Sequence, residues 1–329
     1  MLDRELVEHF FMNPRLSTTL LSGLFLSVCG IAQADSFLRA DYYVWNRFEK
    51  QGGPNARQIK DIEALIFFSP LVPDKEGKLT IDKPFEEALA KLKKAKKPKS
   101  KIWLGLGDLR IVSGNAKAMN VLAANVVKIC KKYGFAGVDV DWEGNPDIKP
   151  EVYAEVIKAL SLKCRAAGLD MAISVGTGQH YSDKAIAAQK YLDYINIQFY
   201  YSTINALSLE DLKKVLARFE KGDIPRKKLL IGLPVYGMVD MSKNRNAKPV
   251  AISYKTIMEK GGDPSKNTWV NPDTGVTYFY SGKPLMLDKV NYAKKNGYGG
   301  VFTWELTMDA DYGDPSSLLK AIDDACKAR

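Results

Sequence analysis

The stretch Gly137-Val-Asp-Val-Asp-Trp-Glu-Gly144, GVDVDWEG, sets three carboxylates at every second residue of a short apolar run. In a β-strand alternate residues share one face, and each residue advances the chain by about 3.3 Å. Asp139, Asp141 and Glu143 therefore line one face about 6.6 Å apart, with Val138, Val140 and Trp142 on the other. Aligning three negative charges costs free energy, and the rest of the chain has to supply a reason for it.

From residue 39 onward, short apolar strands alternate with amphipathic helices, the pattern of a parallel α/β fold. Strands are expected at Arg39–Val44, Ala64–Phe68, Lys101–Leu106, Gly137–Trp142, Asp170–Val175, Tyr194–Tyr200, Leu229–Pro234 and Gly299–Trp304. Ala118, Leu122, Val126, Ile129 and Tyr133 repeat at helical spacing, as do Tyr153, Val156, Ile157, Leu160 and Cys164. Further helices are expected at Asp82–Lys94, Ser208–Lys221, Leu287–Lys295 and Ser316–Ala325. Such a succession of strand–helix units suits an α/β (β/α)8 barrel. A doubly wound open sheet is the competitor, but its strands read as continuous apolar runs because both faces are covered. Here Asp139, Asp141 and Glu143 alternate with apolar residues, and so do Tyr194, Asn196, Gln198 and Tyr200. One polar face per strand fits a barrel with a polar interior near its mouth. Between the last two strands, about residues 237–285, "WVNPDTGVTYFY" reads as an insertion carrying a β-hairpin around Pro272-Asp-Thr-Gly275.

Residues 1–34 read as an export signal. Arg15 precedes the apolar stretch Leu20–Ala34, and the small residues Ala32 and Ala34 suit cleavage before Asp35. Met12 is an alternative start, because Asp3, Glu5 and Glu8 are out of place in a signal's basic region. The expected location is secreted or periplasmic, with residues 35–329 forming the barrel. Removing two basic and three acidic residues raises the formal charge from +10 to +11. Lys91–Lys101 holds part of that excess and reads as a solvated helix end, with attraction to an anionic cell surface as the alternative. Nucleic acid is not an expected partner, since no basic stretch joins a binding motif. Cys130, Cys164 and Cys326 form no disulfide framework and match no zinc spacing; Cys130 and Cys164 are expected as buried thiols.

Absences narrow the chemistry. His180 is the one histidine after residue 34, which disfavours Ser-His-Asp triads and histidine-rich metal sites. Gly105-Leu-Gly-Asp-Leu-Arg110 fails the dinucleotide fingerprint at its last position. Asp139-x-Asp141-x-Glu143-Gly144 begins like a calcium loop, yet its twelfth position is Pro150. No cofactor and no metal are expected. Acid catalysis remains. Barrel active sites lie at the C-terminal ends of strands, where Glu143 falls. Crowded carboxylates in a partly dry mouth have raised pKa values, and a carboxyl kept protonated near neutral pH is what a glycosidase needs. Tyr42, Phe68, Tyr200, Tyr236 and Trp304 are expected near the mouth as a saccharide-binding set.

At these residues the sequence resembles family 18 glycoside hydrolases, the chitinases and endo-β-N-acetylglucosaminidases. "FAGVDVDWEG" resembles the D-G-x-D-x-D-x-E signature, and "KIWLGLGD", "INIQFYY", "IGLPVYG" and "GGVFTWEL" resemble four further strand motifs in the family's order. The resemblance implies retaining, substrate-assisted hydrolysis of N-acetylglucosamine polymers such as chitin. By that resemblance Glu143 is the acid and then the base, Asp141 orients the acetamido group, and Asp139 supports Asp141. Tyr200 then bonds the acetamido oxygen, and Trp304 floors the subsite. Gln198, Tyr236, Tyr42, Phe68 and Tyr201 complete the expected substrate-binding set. The chain departs from the pattern at Ala136, Gly105, Asp108, Tyr201 and Met238; Ala136 implies a lost inner hydrogen bond, and Tyr201 an altered sugar contact. An N-glycan endoglycosidase and a non-catalytic glycan-binding protein are the alternatives. The expected assembly is a monomer.

Overall fold

The computed structural model describes residues 37–143, 147–200, 208–239 and 251–328. Eight strands close a parallel barrel: β1 (Leu38–Val44), β2 (Ala64–Leu71), β3 (Lys101–Leu106), β4 (Gly137–Asp141), β5 (Asp170–Val175), β6 (Tyr194–Ile197), β7 (Leu229–Pro234) and β12 (Gly300–Trp304). Around the ring they follow chain order, with β12 closing between β7 and β1. Helices α1 (Trp45–Lys50), α2 (Ala56–Ile59), α3 (Lys83–Ala95), α4 (Ala116–Tyr133), α5 (Pro150–Ala166), α6 (Gln179–Ala188), α7 (Leu209–Glu220), α9 (Lys283–Lys295) and α10 (Leu318–Lys327) lie between and after the barrel strands. The chain is thus a (β/α)8 barrel.

Alternation along each strand divides the core in two. Val138, Val140, Ile173, Ile195 and Ile231 point outward into the layer beneath the helices. Ala40, Tyr42, Ile66, Trp103, Leu230 and Phe302 fill the lower interior of the barrel. Each fully buried Val or Leu contributes roughly 1.5–3 kcal/mol, so a one-residue slip of β4 would exchange that gain for buried charge. Local signals set the helix ends. Asn115 caps α4 through a bond from the Ala118 N–H, and Gly134 ends it at φ 63°, the left-handed region that glycine enters without strain. Cys130 and Cys164 are free and buried on α4 and α5, and burial pushes both thiols up to about 12.

Four expectations need correction. β4 ends at Asp141 rather than Trp142, leaving Glu143 on the connection that follows. β6 ends at Ile197, three residues early, because the Phe199 N–H turns back to the Ile197 carbonyl and takes the chain out of the ladder. The helix α6 gave no sequence signal: its N-cap Gly178 has no capping side chain, and the apolar residues it buries are the small Ala185 and Ala188. The insertion is more than a hairpin. β8 (Tyr236–Val239), β9 (Ala251–Ser253), β10 (Thr268–Val270) and β11 (Thr277–Phe279) form a four-stranded antiparallel sheet ordered β10-β11-β8-β9, with α8 (Tyr254–Glu259) following β9. The expected hairpin is its β10–β11 edge, with Trp269 opposite Tyr278.

Candidate active site

The carboxylate row runs from the barrel interior to solvent. Asp139 is fully buried, Asp141 is half-buried, and Glu143 is exposed. Their neighbours across the sheet are small: Gly105 on β3 pairs with Asp139, and Ser174 on β5 pairs with Asp141.

Asp139 is held from three strands. It accepts from the Tyr42 hydroxyl at 2.8 Å, from Ser174 Oγ at 3.0 Å and from Asn196 Nδ2 at 2.9 Å. Burial pushes its carboxyl up to about 6, against the pull of those three donors. Asp139 makes no hydrogen bond to Asp141 and acts on it through charge.

Asp141 accepts from Gln198 Nε2 at 2.9 Å, and the Glu143 carboxyl lies close enough to act on it through charge. Burial first, then the charges of Glu143 and Asp139, raise its carboxyl well above the ordinary range. Crowding and burial thus disfavour the charged form of Asp141 at the mouth. The backbone of Glu143 is fixed from α6, whose Tyr181 hydroxyl donates to the Glu143 carbonyl at 2.7 Å.

Tyr200 stands across the mouth. Its hydroxyl is buried without a hydrogen-bond partner among the described residues, and burial raises its pKa well above the ordinary value, so it remains a donor. The Tyr200 ring lies 6.3 Å from that of Trp304 at an interplanar angle of 25°. Gly232 makes room for it: a Cβ there would sit 2.6 Å from the Ile197 carbonyl oxygen and 2.9 Å from Tyr200 Cε1. Tyr236 donates from its hydroxyl to the Tyr200 carbonyl at 2.9 Å, supporting the segment from behind.

Trp304, half-buried at the end of β12, rests edge-on against Tyr42 at 5.0 Å and Phe68 at 5.6 Å. Arg47 lies over the Trp304 ring, 5.8 Å from its centre, and is anchored to the buried Glu305 at 3.0 Å. A cleft of about 680 Å³ opens beside this floor, lined among others by Arg47, Gln58, Lys255, Glu305 and Met308.

The structure thus brings together Asp139, Asp141, Glu143, Tyr200, Trp304, Gln198, Tyr236, Tyr42 and Phe68. It corrects one role. Tyr42 has no exposed surface, and its hydroxyl is committed to Asp139 and Ser174, so it supports the site from below and cannot stack on a sugar. Tyr201 lies outside the described residues. Sequence reasoning missed Ser174, Tyr181 and Arg47. Ser174 had a signal, as the polar residue on the inward face of β5; Tyr181 and Arg47 had none, because only tertiary packing carries them to the mouth. Among the described residues no group of three His, Cys, Asp or Glu side chains is placed to share a metal ion.

A parallel barrel with a row of carboxylates at the C-terminal mouth, beside an aromatic floor, defines the class of barrel glycoside hydrolases. The family model for glycosyl hydrolases family 18 matches residues 40–309, and the chain belongs to that family. It is 24% identical over 268 residues to Endochitinase 1 of Metarhizium robertsii, a match covering 66% of this chain and 62% of that protein. The fold is shared with a GH18 chitinase, ChiB, of Flavobacterium johnsoniae at TM-score 0.70 and 19% identity, covering 88% of this chain and 94% of that one. It is shared also with a class V chitinase of Nicotiana tobaccum in complex with NAG4, at TM-score 0.68 and 16% identity, covering 89% and 99%.

Proposed function

We propose that this chain is an exported chitinase that cleaves β-1,4 bonds between N-acetylglucosamine units by substrate-assisted retention. The observation that carries the reading is the Tyr200 hydroxyl, buried without a hydrogen-bond partner among the described residues and close to the Asp141 and Glu143 carboxylates. A buried donor without a partner costs free energy in the folded protein, and an acetamido oxygen seated above Trp304 relieves that cost. Glu143 protonates the leaving glycosidic oxygen. The substrate's own acetamido oxygen attacks the anomeric carbon, with Tyr200 donating to that oxygen and Asp141 accepting from the acetamido N–H. Water then opens the cyclic intermediate, and Glu143 takes its proton. No enzyme nucleophile takes part, which departs from the usual scheme of two carboxylates. Gln198 positions Asp141, and Tyr42, Ser174 and Asn196 hold Asp139 beneath it. The cleft beside Trp304 has room for further sugar units. The Nicotiana tobaccum relative was captured with NAG4, which supports the substrate class. Export rests on residues 1–34 as a cleaved signal.

The test is turnover of chitotetraose and chitopentaose by the purified chain beside Glu143→Gln, with products sized and the first anomer read by NMR. Cleavage by the parent alone, with β-anomers first, supports the reading. Binding without cleavage by either protein would assign a glycan-binding role, and cleavage confined to N-glycans would assign the endoglycosidase activity.

A further inference from the structure

In a parallel (β/α)8 barrel every helix runs back to the start of the next strand, so helix C-termini collect at the end opposite the active site. Here that end gathers cations. Exposed Lys94 (α3), Lys131 (α4), Lys163 (α5), Lys221 (just past α7) and Lys295 (α9), with Lys99 in the connection before β3, all lie there. None of these six ammonium groups has a hydrogen-bond or ion-pair partner among the described residues. The carboxylates at the same end are mostly taken. Asp61 pairs with Lys97 and Lys327, Asp170 with Lys101, Asp193 with Arg165, and Glu220 with Arg226, leaving Glu63 and Asp223 without a cation. The mouth end is less one-sided, with Glu151, Glu210 and Asp211 in first helical turns beside the exposed Lys75, Lys78 and Lys117. Helix dipoles favour cations in last turns, but they do not account for Lys99, which belongs to a connection.

We propose that this face docks on the anionic headgroups of a phospholipid bilayer, turning the active-site mouth away from it. One observation selects a bilayer over other polyanions: the cations are spread over the helix ends of one whole face instead of lining a groove.

The test is co-sedimentation of the full chain with vesicles of 30% phosphatidylglycerol in phosphatidylcholine and with pure phosphatidylcholine, at low and high salt. The variant Lys94→Gln/Lys99→Gln/Lys131→Gln is compared with Lys75→Gln/Lys78→Gln/Lys117→Gln, which removes equal charge at the mouth end. Each basic residue near an anionic surface is worth about fivefold in binding. The first variant should therefore lose on the order of a hundredfold on anionic vesicles, and the second less than about fivefold. High salt should abolish the difference. Equal losses by both variants, or equal binding to neutral vesicles, would overturn the proposal. So would tighter binding to a DNA duplex than to anionic vesicles, which would assign the face to nucleic acid.

Discussion

Replacing Tyr200 by Phe separates a hydroxyl kept for the substrate from one that merely stabilises the fold. A buried Tyr hydroxyl with a protein partner contributes about 0.5–1.5 kcal/mol, while one left unsatisfied costs about 1–3 kcal/mol. The Tyr200 hydroxyl is buried and has no partner among the described residues, and the ring itself is held by Trp304, Tyr236 and Phe302. Tyr200→Phe keeps those ring contacts and removes the orphaned donor. Stability should therefore stay constant or rise by about 1 kcal/mol, a Tm increase of up to roughly 4 °C. Catalysis should move the other way. A donor placed on developing charge is worth about 10²–10³ in kcat, and because the oxygen gains charge only as it attacks, the loss should fall on kcat more than on KM. Thermal unfolding by circular dichroism and steady-state hydrolysis of chitotetraose read the two effects on one preparation. A Tm lowered by more than about 4 °C would show that the hydroxyl is bonded within the folded protein. A kcat loss below about tenfold would show that it is no donor to the reacting oxygen, and either result refutes the reasoning.

Three further expectations follow from the same geometry. Glu143→Gln should lower kcat by at least about 10²–10⁴ while changing the Kd for chitotetraose less than about tenfold by calorimetry, since the exposed amide keeps the shape but delivers no proton. Asp41, Asp139 and Asp309 are buried with carboxyls pushed up to about 6, above an unfolded value of about 3.9. The folded state then binds more protons than the unfolded one between about pH 4 and 6, so stability falls as pH rises through that window. Between pH 7.5 and 5.5 the three groups together should add about 2 kcal/mol, visible as a Tm several degrees higher at pH 5.5; an unchanged or lower Tm there would contradict their burial as carboxyls. Gly232→Ala places a Cβ against the Ile197 carbonyl and Tyr200, and should cost about 1–3 kcal/mol while lowering kcat by displacing Tyr200; full activity in this variant would mean that the position of Tyr200 is not critical.

The parts of this protein that depend on local pattern were legible in its sequence. Strand periodicity exposed the inward row Asp139, Asp141 and Glu143, because a period of two forces alternate residues onto one face whatever surrounds them. The same alternation excluded an open sheet and put Glu143 at the barrel mouth, though on the connection just past β4 and not on the strand itself. Helical stripes located α4 and α5, since leucines, valines and isoleucines mark their buried faces. Where the local signal was weak, the sequence reading failed. Alanines alone mark the buried stripe of α6, and no side chain caps it, so it passed unseen together with Tyr181, which secures the Glu143 backbone.

Tertiary structure decided the division of labour. Sequence placed Tyr42 and Trp304 together as aromatic residues near the mouth. Only closure of the barrel, with β1 paired to β12 and β2, buries Tyr42 under Trp304 and turns its hydroxyl onto Asp139. Likewise Ser174 and Asn196 reach Asp139 from β5 and β6, 35 and 57 residues away in the chain. The physical reason is range. Period and capping act over a few residues and leave a mark in the sequence, whereas hydrogen bonds and desolvation depend on which residues a closed sheet brings within about 3 Å.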